Sequence, residues 1–157
     1  MRISLICMGK TDDVEIKKLI TYYTHRLPKH FNFELVEISD VKNAKNLSPS
    51  QLKKEEAKLF LHHLETTDTL VLLDEKGKQF SSREFSSKID HWMNISTKRL
   101  VFLVGGAYGF SEDIYQRAQE KISLSKMTFT HQMIRLFFIE QIYRASTILS
   151  GKPYHND

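Results

Sequence analysis

Residues 100–110, LVFLVGGAYGF, join an unbroken apolar run to a loop of small residues that contains three glycines. The run, Leu100–Val104, has a counterpart in Leu70–Leu73. Near-continuous Leu, Val and Phe indicate strands that are covered on both faces, as in parallel sheets. Ligands of such sheets bind beyond the carboxyl ends of the strands. The stretch therefore predicts an α/β fold with a ligand site at the strand ends.

The rest of the chain alternates short apolar runs with helical patterns. We predict strands at Ile3–Met8, Phe33–Ile38, Thr69–Leu73, Leu100–Val104 and Ile122–Leu124. Helices with capping signals lie between these strands, and the capping residues are Asp12, Ser48, Ser81 and Ser111. This alternation predicts one domain over residues 1–157, with a mostly parallel sheet and helices on both of its faces.

The last predicted helix, His131–Leu149, has almost no polar face. A helix that is apolar nearly all round has to be covered on nearly all sides. In a chain of 157 residues, the preferred interpretation is that a second subunit covers this helix. The helix therefore predicts a homodimer packed through it. A deeply buried central helix is the alternative interpretation.

The composition is that of a globular protein, with 41% hydrophobic and 27% charged residues. No apolar stretch approaches the roughly 20 residues of a membrane span, and the N-terminus lacks the long apolar region of a signal peptide. Cys7 is the only cysteine, which excludes an intramolecular disulfide and fits a reducing compartment. These features predict a cytoplasmic location. The formal net charge of +4 suits a polyanionic partner such as RNA without requiring one.

Several common types of site are poorly supported by the motifs. The glycines after Val104 match neither the dinucleotide-binding nor the P-loop spacing, and there is no nucleophile-elbow motif. The seven histidines form no zinc-binding helix motif and have no cysteine cluster beside them, so we expect no metal. Cys7 lies in an apolar strand, where an inert core thiol is the usual case.

Three segments that follow predicted strands are candidates for a ligand site. They are Leu73–Lys78, Val104–Phe110 and Leu124–Met133. Paired glycines such as Gly105 and Gly106 let a backbone approach a ligand closely. Plainer interpretations stay open, because the first segment could be an ordinary strand-to-helix connection in which Gly77 permits a tight turn. In the third segment, Thr128 or Thr130 could simply cap the last helix.

Polar side chains interrupt the apolar surface of the last helix and continue into the tail. Arg144 lies four residues after Glu140 and can pair with it on one helix face. For Arg135 the candidate positions are beside a phosphate or at a subunit boundary. The tail contains Tyr154 and His155, a compact pair of acid–base and RNA-contacting groups, although chain ends are usually disordered.

The most informative motifs are GGAYG at 105–109, LSKMTF at 124–129, His131-Gln132 with Arg135, EQIYRA at 140–145, and Tyr154-His155. In order and spacing they resemble the large-subunit ribosomal RNA pseudouridine N3-methyltransferases of the SPOUT superfamily. The resemblance extends over the whole chain. One departure is Thr130, where the family usually has Pro; Thr can cap the helix instead.

The resemblance implies a trefoil knot near the C-terminus and a homodimer. Knots lie outside the usual topology rules, so no periodicity indicates one. The resemblance also implies an S-adenosylmethionine site, formed by Leu73, Gly105, Leu124, Ser125, Lys126, Met127, Thr128 and Phe129. The implied substrate is a pseudouridine in the helix 69 hairpin of 23S ribosomal RNA, within the assembled ribosome.

The implied reaction suggests roles for the C-terminal residues. The enzyme has to align the methyl donor with N3 of the base, and the N3 proton has to leave. His155 is the candidate base because neutral imidazole is available near neutral pH, and a water molecule is the alternative. Tyr154 is expected to stack on the pseudouridine or hydrogen-bond to it. Arg144 is expected to hold a phosphate or to polarise a base carbonyl.

Basic side chains outside the motifs are candidates for sequence-independent RNA contacts. They are Lys17, Lys18, Arg26, Lys29 and Lys152. Two competing functions stay open. One is a ribose 2′-O-methyltransferase of the same superfamily, and the other is a ribosome-binding module without catalytic activity.

Overall fold

The computed structural model describes residues 1–95 and 97–156. Within these residues lies a sheet of five strands: β1 (Arg2–Met8), β2 (Phe33–Ile38), β3 (Thr69–Gln79), β4 (Arg99–Val104) and β5 (Glu120–Ser123). The strands are arranged in the order β2-β1-β4-β3-β5. Every neighbouring pair is parallel, which confirms the predicted α/β fold.

Five helices accompany the strands in the described part of the chain: α1 (Val14–Arg26), α2 (Pro49–His62), α3 (Ser82–Asn94), α4 (Glu112–Arg117) and α5 (His131–Leu149), with 3₁₀ turns at Lys29–Phe31 and Ala44–Asn46. Ser48 and Ser81 each form a complete capping box, and Ser111 caps α4, as predicted. The cap of α1 is Asp13 rather than Asp12. The Asp13 carboxylate accepts hydrogen bonds from the amides two and three residues further on.

The sheet edge around β5 differs from its prediction, whereas the bounds of β1, β2 and β4 agree to within one residue. β3 continues past its predicted end at Leu73 to Gln79 and pairs with β5 again after a bulge. Gly77 therefore serves a close approach rather than a turn, because a Cβ there would lie 2.5 Å from the backbone carbon of Ile122. β5 ends one residue earlier than predicted, so Leu124 begins the loop that follows.

Two apolar cores lie on opposite faces of the sheet. Helices α1, α3 and α5 cover one core, which includes Phe102 and Phe138. Helices α2 and α4 cover the other, which includes Phe60. Neighbouring residues of β1 enter different cores, Leu5 the first and Ile6 the second, because strand side chains alternate between faces. Helices on both faces are thereby confirmed.

Helix α5 is covered largely by its own chain. It contacts α1, α3 and β4, and Leu136, Phe138 and Ile139 are buried in the first core. This arrangement agrees with the alternative of a central buried helix. Phe137 and Leu149 nevertheless remain 39% exposed. The homodimer and the trefoil knot stay predictions. No helix within the described residues is long and apolar enough to cross a membrane.

Candidate active site

A cavity of about 390 Å³ opens at the carboxyl edge of the sheet, where β4 and β5 end and β3 bulges. The predicted cofactor residues that line it are Leu73, Gly105, Leu124, Ser125, Met127, Thr128 and Phe129. Lys126 is exposed to solvent and lies outside the lining. Sites for small molecules typically measure about 300–1,000 Å³, so the cavity has room for a ligand of nucleoside size.

Main-chain atoms of residues 105–109, the glycine loop, form one wall of this cavity. The Gly109 amide donates to the Gly106 carbonyl over 3.1 Å and closes a tight turn. Gly109 has a φ of +76°, a conformation that favours glycine. A Cβ at Gly105 would lie 3.2 Å from the Phe110 ring and 3.3 Å from Gly109. A larger side chain at Gly105 would therefore push the wall out of place.

Hydrogen bonds that involve hydroxyl groups stabilise the loop of residues 124–129, which lines the cavity together with the glycine loop. Ser123 Oγ donates to the Ser125 carbonyl over 2.8 Å, and Ser125 Oγ accepts from the Met127 amide over 2.9 Å. Thr130 then caps α5, accepting from the amide three residues on over 3.2 Å. Of the two threonines considered as caps, Thr130 is the one used, and it serves where the resembled family usually has Pro.

Asp74 and Tyr115 also line the cavity. Asp74 belongs to the predicted segment Leu73–Lys78, whereas Tyr115 was not predicted to belong to the site. Tyr115 of α4 donates to Asp74 Oδ2 over 2.5 Å, and Asp74 Oδ1 accepts from the Lys76 amide over 2.8 Å. Burial and the Asp74 carboxylate raise the pKa of Tyr115 to about 12, so its hydroxyl stays protonated. The position of Asp74 directly after Leu73 was the only available sequence signal for this pair.

Arg135 occupies neither of its predicted positions. It is 1% exposed, and its guanidinium donates to the Met8 carbonyl over 2.7 Å and to the Thr11 hydroxyl over 2.8 Å. It also lies 3.2 Å from the Glu37 carboxylate. A guanidinium that is paired inside its own chain is not available to an RNA phosphate or to a second subunit. Arg135 instead ties the start of α5 to the ends of β1 and β2.

Arg144, Tyr154 and His155, the residues predicted to be catalytic, lie together beside Glu140; we call these four the C-terminal cluster. Arg144 Nη2 donates to Glu140 Oε1 over 2.6 Å, and Nη1 lies 3.3 Å from His155 Nδ1. The guanidinium carbon lies 4.8 Å from the centre of the Tyr154 ring. Glu140 was expected only as an internal partner of Arg144, yet it also contacts Tyr154.

Tyr154 is held in place by α1 and α5. Its hydroxyl donates to Glu140 Oε1 over 3.1 Å and lies 3.4 Å from the Tyr23 hydroxyl. Its ring packs edge-on against Tyr143 at 4.8 Å. Burial raises the pKa of Tyr154 well above its ordinary value, and the contacts with Tyr23 and Glu140 raise it further. The phenol is therefore a hydrogen-bond donor and a stacking surface at neutral pH rather than a base.

The contact between Arg144 and His155 determines where the imidazole proton lies. A guanidinium has only donors, so Nδ1 of His155 accepts in this contact. The proton of the neutral ring then lies on Nε2. While this contact is made, Arg144 occupies Nδ1 of His155.

The cavity and the C-terminal cluster lie at different ends of α5. His131 at the start of the helix lines the cavity, whereas Arg144 lies near the helix end. Ile134 is the last residue of α5 that lines the cavity and Glu140 is the first that belongs to the cluster, so about 9 Å of helix lies between them at 1.5 Å per residue.

Metal and thiol chemistry find no support among the residues described. In the ranges 1–95 and 97–156, no three His, Cys, Asp or Glu side chains are grouped so that they could hold a metal ion. Cys7 is buried in the sheet, and burial raises the pKa of its thiol to about 12. A thiol in this state is a core residue rather than a nucleophile.

Comparison with known proteins identifies the family. A sequence profile described as "Predicted SPOUT methyltransferase" matches residues 1–155. Proteins named Ribosomal RNA large subunit methyltransferase H are similar over their full length. The relative from Christiangramia forsetii is 54% identical over 156 residues, and that from Flavobacterium johnsoniae is 56% identical over 156, each covering 99% of both chains. The relative from Parabacteroides distasonis is 56% identical over 157 residues and covers 100% of both. This chain belongs to the SPOUT methyltransferase family.

Proposed function

We propose that this protein is an S-adenosylmethionine-dependent methyltransferase that modifies N3 of a pseudouridine in helix 69 of 23S ribosomal RNA, on the assembled ribosome. The observation that carries the proposal is the strand-end cavity, which all of the predicted cofactor residues except Lys126 line. Membership of a methyltransferase family and relatives named for large-subunit ribosomal RNA support the reaction and the substrate. The choice of base and atom rests on the resemblance of the motifs.

The lining of the cavity suits S-adenosylmethionine. Leu73, Phe129 and Ile134 provide an apolar surface for the adenine, and the glycine loop provides main-chain donors and acceptors. The Asp74 carboxylate attracts a positively charged donor. When bound there, the cofactor supplies an electrophilic methyl group.

The C-terminal cluster provides groups that can orient a base and remove its proton. Arg144, held by Glu140, would contact a phosphate or a base carbonyl of the RNA. A contact of this kind would draw Arg144 away from His155 and expose Nδ1, which would then accept the N3 proton. Tyr154, which stays protonated, would stack on the pseudouridine or donate to it. A water molecule is the alternative proton acceptor.

Because the cavity lies at the start of α5 and the C-terminal cluster towards its end, the proposed active site combines two subunits of a homodimer. The tail of one chain would complete the cavity of the other. Apolar side chains near the cavity and along α5 remain exposed and could be covered by the second subunit; they are Met127, Phe129, Phe137 and Leu149. A two-fold dimer would create two equivalent composite sites.

Basic side chains on the surface would add affinity for ribosomal RNA. Lys17, Lys18, Arg26, Lys29 and Lys152 are all exposed. Each neutralised phosphate releases counterions, so binding to ribosomes should weaken as salt is raised. The cytoplasm, where ribosomes work, is the proposed location.

Methyl transfer from labelled S-adenosylmethionine to ribosomes that lack the modification tests the proposal. We expect label in the large-subunit RNA, and mass spectrometry should place the methyl group on N3 of a helix 69 pseudouridine. A methyl group on a ribose 2′-oxygen would favour the 2′-O-methyltransferase alternative. Cofactor binding without transfer to any RNA would contradict the enzymatic function, and an absence of cofactor binding would contradict the site itself.

Mixed dimers test the shared active site. Gly105→Val damages the cavity and His155→Ala damages the cluster, so each pure variant should be nearly inactive at a cofactor concentration well below the Kd of Gly105→Val. A heterodimer of the two variants would contain one composite site with both parts intact, which predicts about a quarter of wild-type activity after subunit exchange. No recovery on mixing, with exchange verified by a mass tag, would contradict a site built from two chains.

A further inference from the structure

Glu56 is a buried carboxylate on the second face of the sheet. It is 6% exposed and lies on α2 beside Ala57 and Phe60, which belong to the second core. Its neighbour Glu55 instead pairs with Lys58 at the surface. A carboxylate that loses its water among apolar residues requires a compensating polar contact.

The compensating group is the main chain of Gly106. A Cβ at Gly106 would overlap Glu56 Oε1 and lie 2.6 Å from Oε2, so the carboxylate occupies the space that a side chain would need. Burial and the nearby Asp40 raise the pKa of Glu56, and the contact with the Gly106 backbone opposes this rise. Glycine at position 106 and glutamate at position 56 are therefore complementary in both shape and polarity.

Helix α2 supports the glycine loop at a second point. Phe60, one helical turn after Glu56, packs its ring 6.1 Å from that of Phe110, which follows the loop. Between these contacts, the Gly106 carbonyl accepts the Gly109 amide over 3.1 Å. Glu56 packs against the main chain of Gly106 and Phe60 packs against Phe110, so the loop contacts α2 at both of its ends.

The opposite side of the glycine loop is a wall of the cofactor cavity. Glu56 does not line that cavity. It lines a second cavity of about 310 Å³, together with Lys10, Asp40 and Arg135, and Gly106 belongs to both cavities. Glu56 therefore acts on a ligand in the first cavity indirectly, through residues that both cavities share, and Gly106 is one that it contacts.

We propose that Glu56 is a positioning residue, whose carboxylate packs against the main chain of Gly106 and thereby fixes the wall that binds the cofactor. The inference rests on the proposed function, in which this wall faces S-adenosylmethionine. A loop without this anchor samples more conformations, and affinity falls with the fraction that is competent to bind. Turnover at saturating cofactor should be unchanged, because saturation selects the loop conformation that is competent to bind.

The test compares three variants of the full-length protein. Glu56→Ala removes the carboxylate, Glu56→Gln keeps an acceptor oxygen in the same place, and Glu55→Ala makes the matched change on the exposed side of α2. Hydrogen exchange at residues 105–109 measures the anchoring without a ligand. Calorimetric titration with S-adenosylmethionine, together with KM and kcat for methyl transfer, measures its consequence.

For Glu56→Ala we expect faster exchange confined to the glycine loop, about tenfold weaker cofactor binding and a kcat within about twofold of wild type. Glu56→Gln and Glu55→Ala should resemble the wild type in both measurements. Unchanged exchange and affinity in Glu56→Ala, an equal loss in Glu55→Ala, or exchange that rises throughout the fold would each overturn the inference. Wild-type protein that binds no cofactor would overturn the proposed function as well, which separates the two failures.

Discussion

The cofactor cavity and the C-terminal cluster use different parts of the polypeptide. The glycine loop of the cavity is main chain, closed by a hydrogen bond between Gly109 and Gly106. The cluster consists of side chains, in which Arg144 contacts a carboxylate, an imidazole and an aromatic ring. Main-chain walls bind and orient a ligand, whereas ionisable side chains can move protons. Variants in the first region should therefore change affinity, and variants in the second should change turnover.

The largest effect is expected from the tail. Replacing His155 by Ala, or removing residues 154–157, should lower kcat for methyl transfer at least about 100-fold, because proton removal from N3 loses its acceptor. Cofactor affinity, measured by calorimetry, should remain within about twofold. Asn156→Ala changes an exposed neighbour and provides the control. Full activity after truncation would remove the catalytic role of the tail, and loss of cofactor binding would make the tail part of the cavity.

A change within the cavity should give the opposite pattern. Gly105→Val places a branched side chain against Phe110 and Gly109. Cofactor affinity should fall by about 10- to 100-fold, the range that corresponds to overpacking of a tight site. Lys126→Ala is the matched control within the predicted cofactor segment, because Lys126 does not line the cavity. Unchanged affinity in a folded Gly105→Val protein would count against this site.

Arg135 distinguishes a structural role from contact with RNA. Arg135→Met removes the donor to the Met8 carbonyl and the cation beside Glu37, whose carboxylate keeps its hydrogen bonds from Thr11. The free energy of unfolding should fall by about 2 kcal/mol, which lowers Tm by about 4–8 °C in a chain of this size. The exposed Arg26→Met should leave Tm unchanged and weaken ribosome binding slightly. A wild-type Tm for Arg135→Met would show that the buried contacts contribute little.

The smallest expected effect is a pH-dependent difference in stability. Burial raises the pKa of Glu56 in the folded protein above its ordinary value of 4.5. Its contribution to stability is therefore complete below that value and declines as pH rises through the folded-state pKa. Glu56→Gln cannot ionise, so its Tm relative to wild type should increase from about pH 4 to about pH 8. A difference that is constant with pH would contradict a raised pKa for this carboxyl.

Much of the fold was predictable because its signals are local. The apolar runs of β1, β2 and β4 and the capping boxes at Ser48 and Ser81 act within a few residues, and the structure agrees with them. The predicted end of β3 was wrong because Gly77 was interpreted as a turn residue. Its requirement for glycine comes from the backbone of β5, which lies more than forty residues further along the chain.

The sequence by itself determined the strands, most of the helix starts and the motifs of the family, since each depends on residues that are adjacent or one helical turn apart. Tertiary structure alone decided which distant groups meet. Tyr115 donates a hydrogen bond to Asp74, which lies 41 residues away in the sequence, and Arg135 donates one to the Met8 carbonyl, 127 residues away. Burial removes water from these polar groups, so each needs a partner that the fold, and not the local pattern, provides. For the same reason, only the structure revealed the carboxylate of Glu56 behind the glycine loop.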